Sequence, residues 1–125
     1  MARVLIAEDD ESVRTFVSRA LLIDGHEVVT AEDGSQALDT LSRDNHFDLL
    51  LSDIKMPIMD GIALALNVAR DHSHVPILLM TGYADQRERA DGLEKIVEDV
   101  VLKPFSLADI RAAVKRTLGK TSGIA

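Results

Sequence analysis

The sequence predicts an α/β domain built on a parallel sheet, and two observations predict it. Five short apolar runs recur along the chain, separated by stretches with helical periodicity. Four of those five runs are continuous rather than alternating. A continuous apolar run marks a strand covered on both faces, the usual state in a parallel sheet with crossover helices on each side. Strand–helix alternation over the whole length then gives the class.

The elements follow in order. Val4-Leu5-Ile6-Ala7 is the first strand. Val13, Phe16, Val17, Ala20 and Leu21 fall at i, i+3, i+4, i+7 and i+8, one face of a helix, which Asp24-Gly25 ends. Glu27-Val28-Val29-Thr30-Ala31 is the second strand, and Ala37, Leu38 and Leu41 mark a second, weaker helix. Asp48-Leu49-Leu50-Leu51-Ser52 is the third strand; Ile62, Ala65, Leu66 and Ala69 mark the third helix, with Asp60 as N-cap. Pro76-Ile77-Leu78-Leu79-Met80 is the fourth strand. A fourth helix is expected over residues 84–91, supported by Asp85 with Arg89 and Arg87 with Asp91 at i, i+4 and ended by Gly92; with only Ala84 and Ala90 apolar, it is expected to be the most mobile element. Val100-Val101-Leu102 is the fifth strand. Leu107, Ile110, Val114 and Leu118 mark the last helix, where Ser106 and Asp109 have capping-box spacing. Residues 1–118 read as one domain and residues 119–125 as a flexible tail. There is no internal repeat or linker, and no attached output domain is expected.

Composition narrows the function classes. The chain has 125 residues, 46% hydrophobic and 28% charged, with aromatics at 3%; Leu, Ile, Val, Ala and Met must therefore form the core. The absence of cysteine excludes disulfides, thiolate metal sites and cysteine catalysis. A net charge of −7 argues against general nucleic-acid binding. No apolar run approaches the ~20 residues of a membrane span, and the start of the chain lacks a signal-peptide apolar region. A cytoplasmic protein is expected.

Ligands of open parallel sheets bind outside the carboxyl ends of the strands. Glu8-Asp9-Asp10 follows the first strand, Asp53 the third, Thr81 the fourth and Lys103-Pro104 the fifth. Taken singly, each has an ordinary explanation: an acidic helix start, a turn aspartate, a cap and a solvated lysine. Taken together they make a site. With the first and third strands adjacent, at a spacing of ~4.8 Å, Glu8, Asp9 and Asp53 crowd into one pocket and require a cation. Oxygen-only donors with room for water suit Mg2+. A hydroxyl at Thr81 and an ammonium at Lys103 suit two oxygens of a tetrahedral anion, the positioning that phosphoryl transfer needs. Asp53 is then the nucleophile, since a carboxylate can carry a phosphoryl group as an acyl phosphate.

These motifs, with Asp53-Ile54-Lys55-Met56-Pro57-Ile58-Met59-Asp60-Gly61, Thr81-Gly82 and Lys103-Pro104-Phe105, give a pattern that resembles the receiver domain of two-component response regulators, over residues 3–118. The Thr81-Gly82-Tyr83-Ala84 tract and Val100 resemble, more narrowly, stand-alone regulators of the CpdR type and receivers attached to hybrid kinases. The resemblance implies a CheY-like, flavodoxin-like sheet of order 2-1-3-4-5 with five helices on its two faces. It implies Asp53 as phosphoacceptor, and Glu8, Asp9, Asp53 and the Lys55 backbone carbonyl around Mg2+. It implies Thr81 and Lys103 on the phosphoryl group, a cis Lys103-Pro104 bond, and Gly82 as a small residue leaving space for the acyl phosphate. The family's aromatic switch position holds Val100 here, and Tyr83, the only tyrosine, is expected to take over part of the readout.

The resemblance further implies a signalling switch rather than an enzyme acting on other molecules. Its phosphodonor would be a histidine kinase or histidine phosphotransfer protein. Its output would be phosphorylation-dependent protein–protein contact, as a monomer or weak dimer, with no direct nucleic-acid or membrane partner. The face of the fourth helix, fifth strand and last helix is where partners often meet the family, and an acidic helix beside a basic one could set its specificity. A phosphate sink or relay intermediate, a receiver fragment of a longer protein, an Mg-dependent aspartyl phosphohydrolase and an unphosphorylated static module are the competing readings. The phosphohydrolase would need a second acid and a cap, for which the sequence has no room. His26, His46, His72 and His74 lie in expected loops or helix ends and are not read as ligands. Arg111, Lys115, Arg116 and Lys120 are read as a solvated basic face.

Overall fold

The computed structural model describes residues 2–82 and 92–122. Five strands, β1 (Arg3–Ala7), β2 (Glu27–Ala31), β3 (Leu49–Asp53), β4 (Ile77–Thr81) and β5 (Asp99–Leu102), form one sheet of order β2-β1-β3-β4-β5. Every neighbouring pair is parallel. Among the described residues there are four helices: α1 (Glu11–Ile23), α2 (Gly34–Arg43), α3 (Gly61–Asp71) and the C-terminal α4 (Leu107–Ser122). The helix expected over residues 84–91, with its charge pairs, lies outside the described residues, as does Tyr83.

Side chains alternate across a strand, and the core divides accordingly. Leu5, Ala7, Leu50, Ile54, Ile77 and Leu79 pack with Ala37 and Leu41 of α2 and Leu64, Ala65 and Val68 of α3. Val4, Ile6, Leu49, Leu51, Leu78 and Met80 pack with Val17, Ala20 and Leu21 of α1 and Ile110, Ala113 and Val114 of α4. This is why β1, β3 and β4 read as unbroken apolar runs: both faces are covered. β2 is an edge strand, and its Glu27 and Thr30 are exposed.

The helix ends form where local chemistry dictates. Asp10 caps α1, accepting from Ser12 N at 2.8 Å and Val13 N at 3.1 Å. Asp60 caps α3, accepting from Ala63 N at 2.9 Å. Gly25, at φ 80°, lets the chain turn back after Asp24. At α4, Ser106 N donates to Asp109 while Asp109 N donates to Ser106 Oγ, both at 3.0 Å, the reciprocal capping box.

Three expectations need correction. β3 and β4 each extend one residue further, so Asp53 and Thr81 are the last strand residues rather than the first loop residues. The C-terminal helix continues through Ser122, so residues 119–122 belong to that helix and the last element ends later than expected. No proline interrupts that turn, a single Gly119 costs only about 1 kcal/mol in a helix, and Lys120 suits the helix's negative end. Nor is the basic face of α4 simply solvated: Arg111 grips the Asp24 carboxylate with Nε and Nη2 at 3.1 and 2.6 Å, and Arg116 reaches Asp99 at 3.4 Å.

Candidate functional site

The register brings the chemistry-bearing residues together. Ala7 pairs with Ser52 and Asp53 with Met80, so Glu8, one residue past β1, stands level with Asp53. Thr81 pairs with Leu102, and Lys103 N continues the ladder by donating to the Thr81 carbonyl at 2.8 Å. Glu8 shares the parity of Val4 and Ile6, Asp53 that of Leu49 and Leu51, and Lys103 that of Val101. All three therefore belong to the α1/α4 side of the sheet. Thr81 has the opposite parity, that of Ile77 and Leu79.

The outcome is a polar cleft of about 270 Å3 lined by Glu8, Asp9, Asp10, Val13, Asp53, Lys55 and Lys103. Glu8 is 1% exposed and Asp53 6%; Asp9 and Lys55 are exposed at the rim. Lys103 Nζ bridges the two buried carboxylates, donating to Glu8 Oε1 at 3.1 Å and paired with Asp53 Oδ1 at 2.9 Å. The second Glu8 oxygen accepts from Asp10 N at 3.0 Å.

These surroundings shift the titrations. Burial pushes the Asp53 carboxyl above its ordinary range, opposed by the Lys103 hydrogen bond and charge and reinforced by the Asp9 charge. Burial likewise raises Glu8, against the Asp10 amide and Lys103, with the Asp53 charge adding to the rise. For Lys103, burial pulls downward, but the hydrogen bond and charge of Asp53, with those of Glu8, carry it above the ordinary lysine value.

Oxygens of Glu8, Asp9 and Asp53 lie within 4.8 Å of one another, a grouping that could hold a metal ion. All-carboxylate donors with an exposed rim fit a hard divalent cation that keeps water.

The backbone around Asp53 is tightly fixed. The buried Ser52 hydroxyl donates to the Asp53 carbonyl at 2.8 Å, Ile54 N to the Met80 carbonyl at 3.0 Å, and Gly61 N to the Ile54 carbonyl at 2.7 Å. A Cβ on Gly61 would overlap the Asp53 carbonyl oxygen, and one on Gly34 would overlap that of Met59. Between them, Ile58 takes φ 69° where Met59 N closes on the Pro57 carbonyl at 2.7 Å, a three-residue turn.

The remaining expected residues fall as follows. Thr81 is 1% exposed at the end of β4. Lys103-Pro104 is cis. A Cβ on Gly82 would make ordinary contact with Lys103 Cβ at 3.6 Å. Val100 pairs with Leu79 and packs, partly buried, against the α2/α3 core. His26 accepts from Ala2 N and His74 reaches the Asn45 carbonyl, so both imidazoles have local partners; His72 caps α3 through its backbone amide, which donates to the Val68 carbonyl.

Sequence reasoning missed two features. Arg14, in α1, turns back to donate from Nη1 to the Glu8 carbonyl at 2.8 Å. A cation so close to the positive end of a helix was the available signal. An apolar groove of about 340 Å3, lined by Ser12, Val13, Phe16, Lys103, Pro104 and Phe105, adjoins the polar cleft, with Val13 and Lys103 common to both. It depends on a loop following β5 whose placement no local pattern discloses.

Residues 4–115 match the family model of the response regulator receiver domain. A curated relative, the probable transcriptional regulator ycf27 of Guillardia theta, is 36% identical over 120 residues, 96% of this chain and 46% of its own length. The chemotaxis response regulator CheY4 of Vibrio cholerae superposes with a TM-score of 0.83 at 31% identity, covering 94% of this chain and 98% of that one. The response regulator TrrA of Thermotoga maritima, in complex with Mg2+-BeF, gives 0.83 at 29%, covering 94% and 99%. The chain therefore belongs to the response regulator receiver domain family, with the CheY-like fold. It spans about half the length of the curated relatives first matched, 46%, 49% and 52% of them.

Proposed function

We propose that this receiver takes a phosphoryl group onto Asp53 in a Mg2+-dependent reaction and signals through a protein partner. The observation that carries the proposal is the Lys103 bridge between two buried carboxylates inside an acidic cleft at the strand ends. An ammonium already seated on the acceptor carboxylate is placed to meet an oxygen of an incoming phosphoryl group.

Glu8, Asp9 and Asp53, with the Lys55 backbone carbonyl, would hold Mg2+. Bound there, the ion offsets the repulsion of the carboxylates and polarises the phosphoryl group. An Asp53 carboxylate oxygen attacks phosphorus, the bond from phosphorus to the donor nitrogen breaks, and the leaving imidazole is released to take up a proton. Lys103 neutralises charge on one phosphoryl oxygen, and Thr81 is the hydroxyl that responds to another. The product adds a charge of about −2 at this end of the sheet. Val100, Pro104 and Tyr83 are the positions through which the change would be read.

The donor in this reading is a phosphohistidine protein: a histidine kinase or a phosphotransfer protein. The apolar groove adjoining the cleft, with Phe16 and Phe105 in its lining, favours a protein donor because it offers contact surface that a small donor would not use. A cytoplasmic site and the absence of turnover on other substrates belong to the same proposal. No helix among the described residues is long and apolar enough to cross a membrane.

Intact mass after incubation with acetyl phosphate tests the chemistry. The expected result is a gain of one phosphoryl group that requires Mg2+ and is lost in Asp53→Asn. No gain with acetyl phosphate or phosphoramidate, together with no binding of beryllofluoride, would overturn it.

A further inference from the structure

The β1–α1 corner holds two of the clustered acids, and one side chain outside the cleft bonds to their backbone. Glu8 is held at its amide, which donates to the Ala31 carbonyl at 3.0 Å, and at both carboxylate oxygens, which face Lys103 and the Asp10 amide. Its remaining polar atom is the carbonyl, and there Arg14 Nη1 donates at 2.8 Å. That carbonyl belongs to the peptide plane joining Glu8 to Asp9, so its orientation sets where the Asp9 backbone begins. Asp9 is exposed at the rim, and none of the sheet's ladders reaches it.

Arg14 is poorly placed for helix stability alone. It is the fourth residue of α1, near the positive end of the helix, where a cation is disfavoured. A helical side chain leans toward the N-terminus, which carries the guanidinium back over the corner. Its own amide bonds the Asp10 carbonyl at 2.9 Å, so one residue ties the cap and the acidic pair together.

We infer that Arg14 is a positioning residue for the acidic pair: its guanidinium locks the Glu8–Asp9 peptide so that the Asp9 carboxylate converges with Glu8 and Asp53 on the cation. This rests on the proposed Mg2+ site. Groups that orient metal ligands without touching the metal commonly change affinity 10–100-fold when removed. Arg14 acts on cation binding and not on the attacking oxygen, so its loss raises the Mg2+ requirement and spares the rate at saturation.

The test compares the parent chain, Arg14→Ala and Arg14→Lys. Mg2+ binding is measured by calorimetry, phosphorylation by acetyl phosphate is followed across Mg2+ concentration, and amide NMR spectra are recorded without metal. In Arg14→Ala, Mg2+ affinity falls about tenfold or more, and the rate at saturating Mg2+ stays within about threefold of the parent. The metal-free Asp9 and Asp10 amide signals shift or broaden. Arg14→Lys, which keeps a charged donor, recovers part of the affinity. A folded Arg14→Ala with parent-like Mg2+ affinity and unchanged Asp9 and Asp10 signals overturns the inference and leaves the site reading intact. If Arg14→Ala does not fold, Arg14→Met, which keeps the aliphatic stem without the charged donor, decides by the same two readouts against the parent. A parent chain that binds no Mg2+ overturns both.

Discussion

Asp53 and Glu8 show how burial sets the working range of the site. Both carboxyls sit above the ordinary carboxylate range because burial disfavours their charged forms. Protonated carboxyls do not ligate a hard cation, so Mg2+ affinity should begin to fall, on acidification, at a pH above that range. Calorimetric titration at stepped pH measures it; an affinity that holds until exposed carboxylates titrate would show that the shifts do not govern binding. Gly61 is the residue-scale test of the scaffold. Because its Cβ would overlap the Asp53 carbonyl oxygen, Gly61→Ala should destabilise the fold by roughly 1–3 kcal/mol in urea unfolding. The grouping of Glu8, Asp9, Asp53 and Lys103 at one edge of the sheet was legible from the sequence because each comes at the end of an apolar run. The Lys103 bridge and the Arg14 contact were not, because both depend on how far a flexible side chain reaches from an element whose placement the pattern does not give.

At the scale of elements, α1 and α4 are joined by the forked contact of Arg111 with Asp24, the cap at the end of α1. The Arg111 hydrogen bond, opposed by burial and aided by the Arg111 charge, holds the Asp24 carboxyl below its ordinary value. A lowered carboxyl stabilises the fold above its unfolded-state pKa, and that contribution is lost as pH falls through the lowered folded value. Asp24→Asn should therefore melt slightly below the parent at neutral pH, and the gap should close on strong acidification. Thermal melts across pH check this; a gap that persists in acid would mean that the amide is disrupting the cap. Strand and helix existence was legible because Val4–Ala7 is an unbroken apolar run and Val13–Leu21 keeps the helical period. Their ends were less so: Asp53 and Thr81 carry no apolar signal, yet their backbones continue the ladder. Residues 119–122 looked like a tail because composition cannot show that a helix already packed through Ile110, Ala113 and Val114 continues.

Across the whole molecule, the proposed phosphoryl transfer would draw on two adjoining surfaces: the acidic cleft for charge, and the apolar groove for contact with a protein donor. Phe16 lines the groove, 37% exposed, its ring 6.1 Å from that of Phe105. Truncating an aromatic anchor at an interface commonly costs more than 1 kcal/mol. Phe16→Ala should therefore slow transfer from a phosphohistidine protein about tenfold while leaving phosphorylation by acetyl phosphate near the parent rate. Equal loss with both donors would place the defect in the cleft itself. The family could be read from the motifs alone, but this pairing of surfaces could not, since it arises only when the loop after β5 folds against α1.

The shared parity of Glu8, Asp53 and Lys103 also constrains how such a chain can change its length. Adding one residue within β1, β3 or β5 would turn every later side chain of that strand to the opposite face. The carboxylate or ammonium at its end would then point toward α2 and α3. Such a change would swap the core and dismantle the site together, so insertions are confined to the opposite end of the sheet. The connections at residues 24–26, 44–48 and 72–76 can lengthen without altering the phase in which the strands arrive. Descendants of this chain can change the length of these connections, whereas the strands must keep their count.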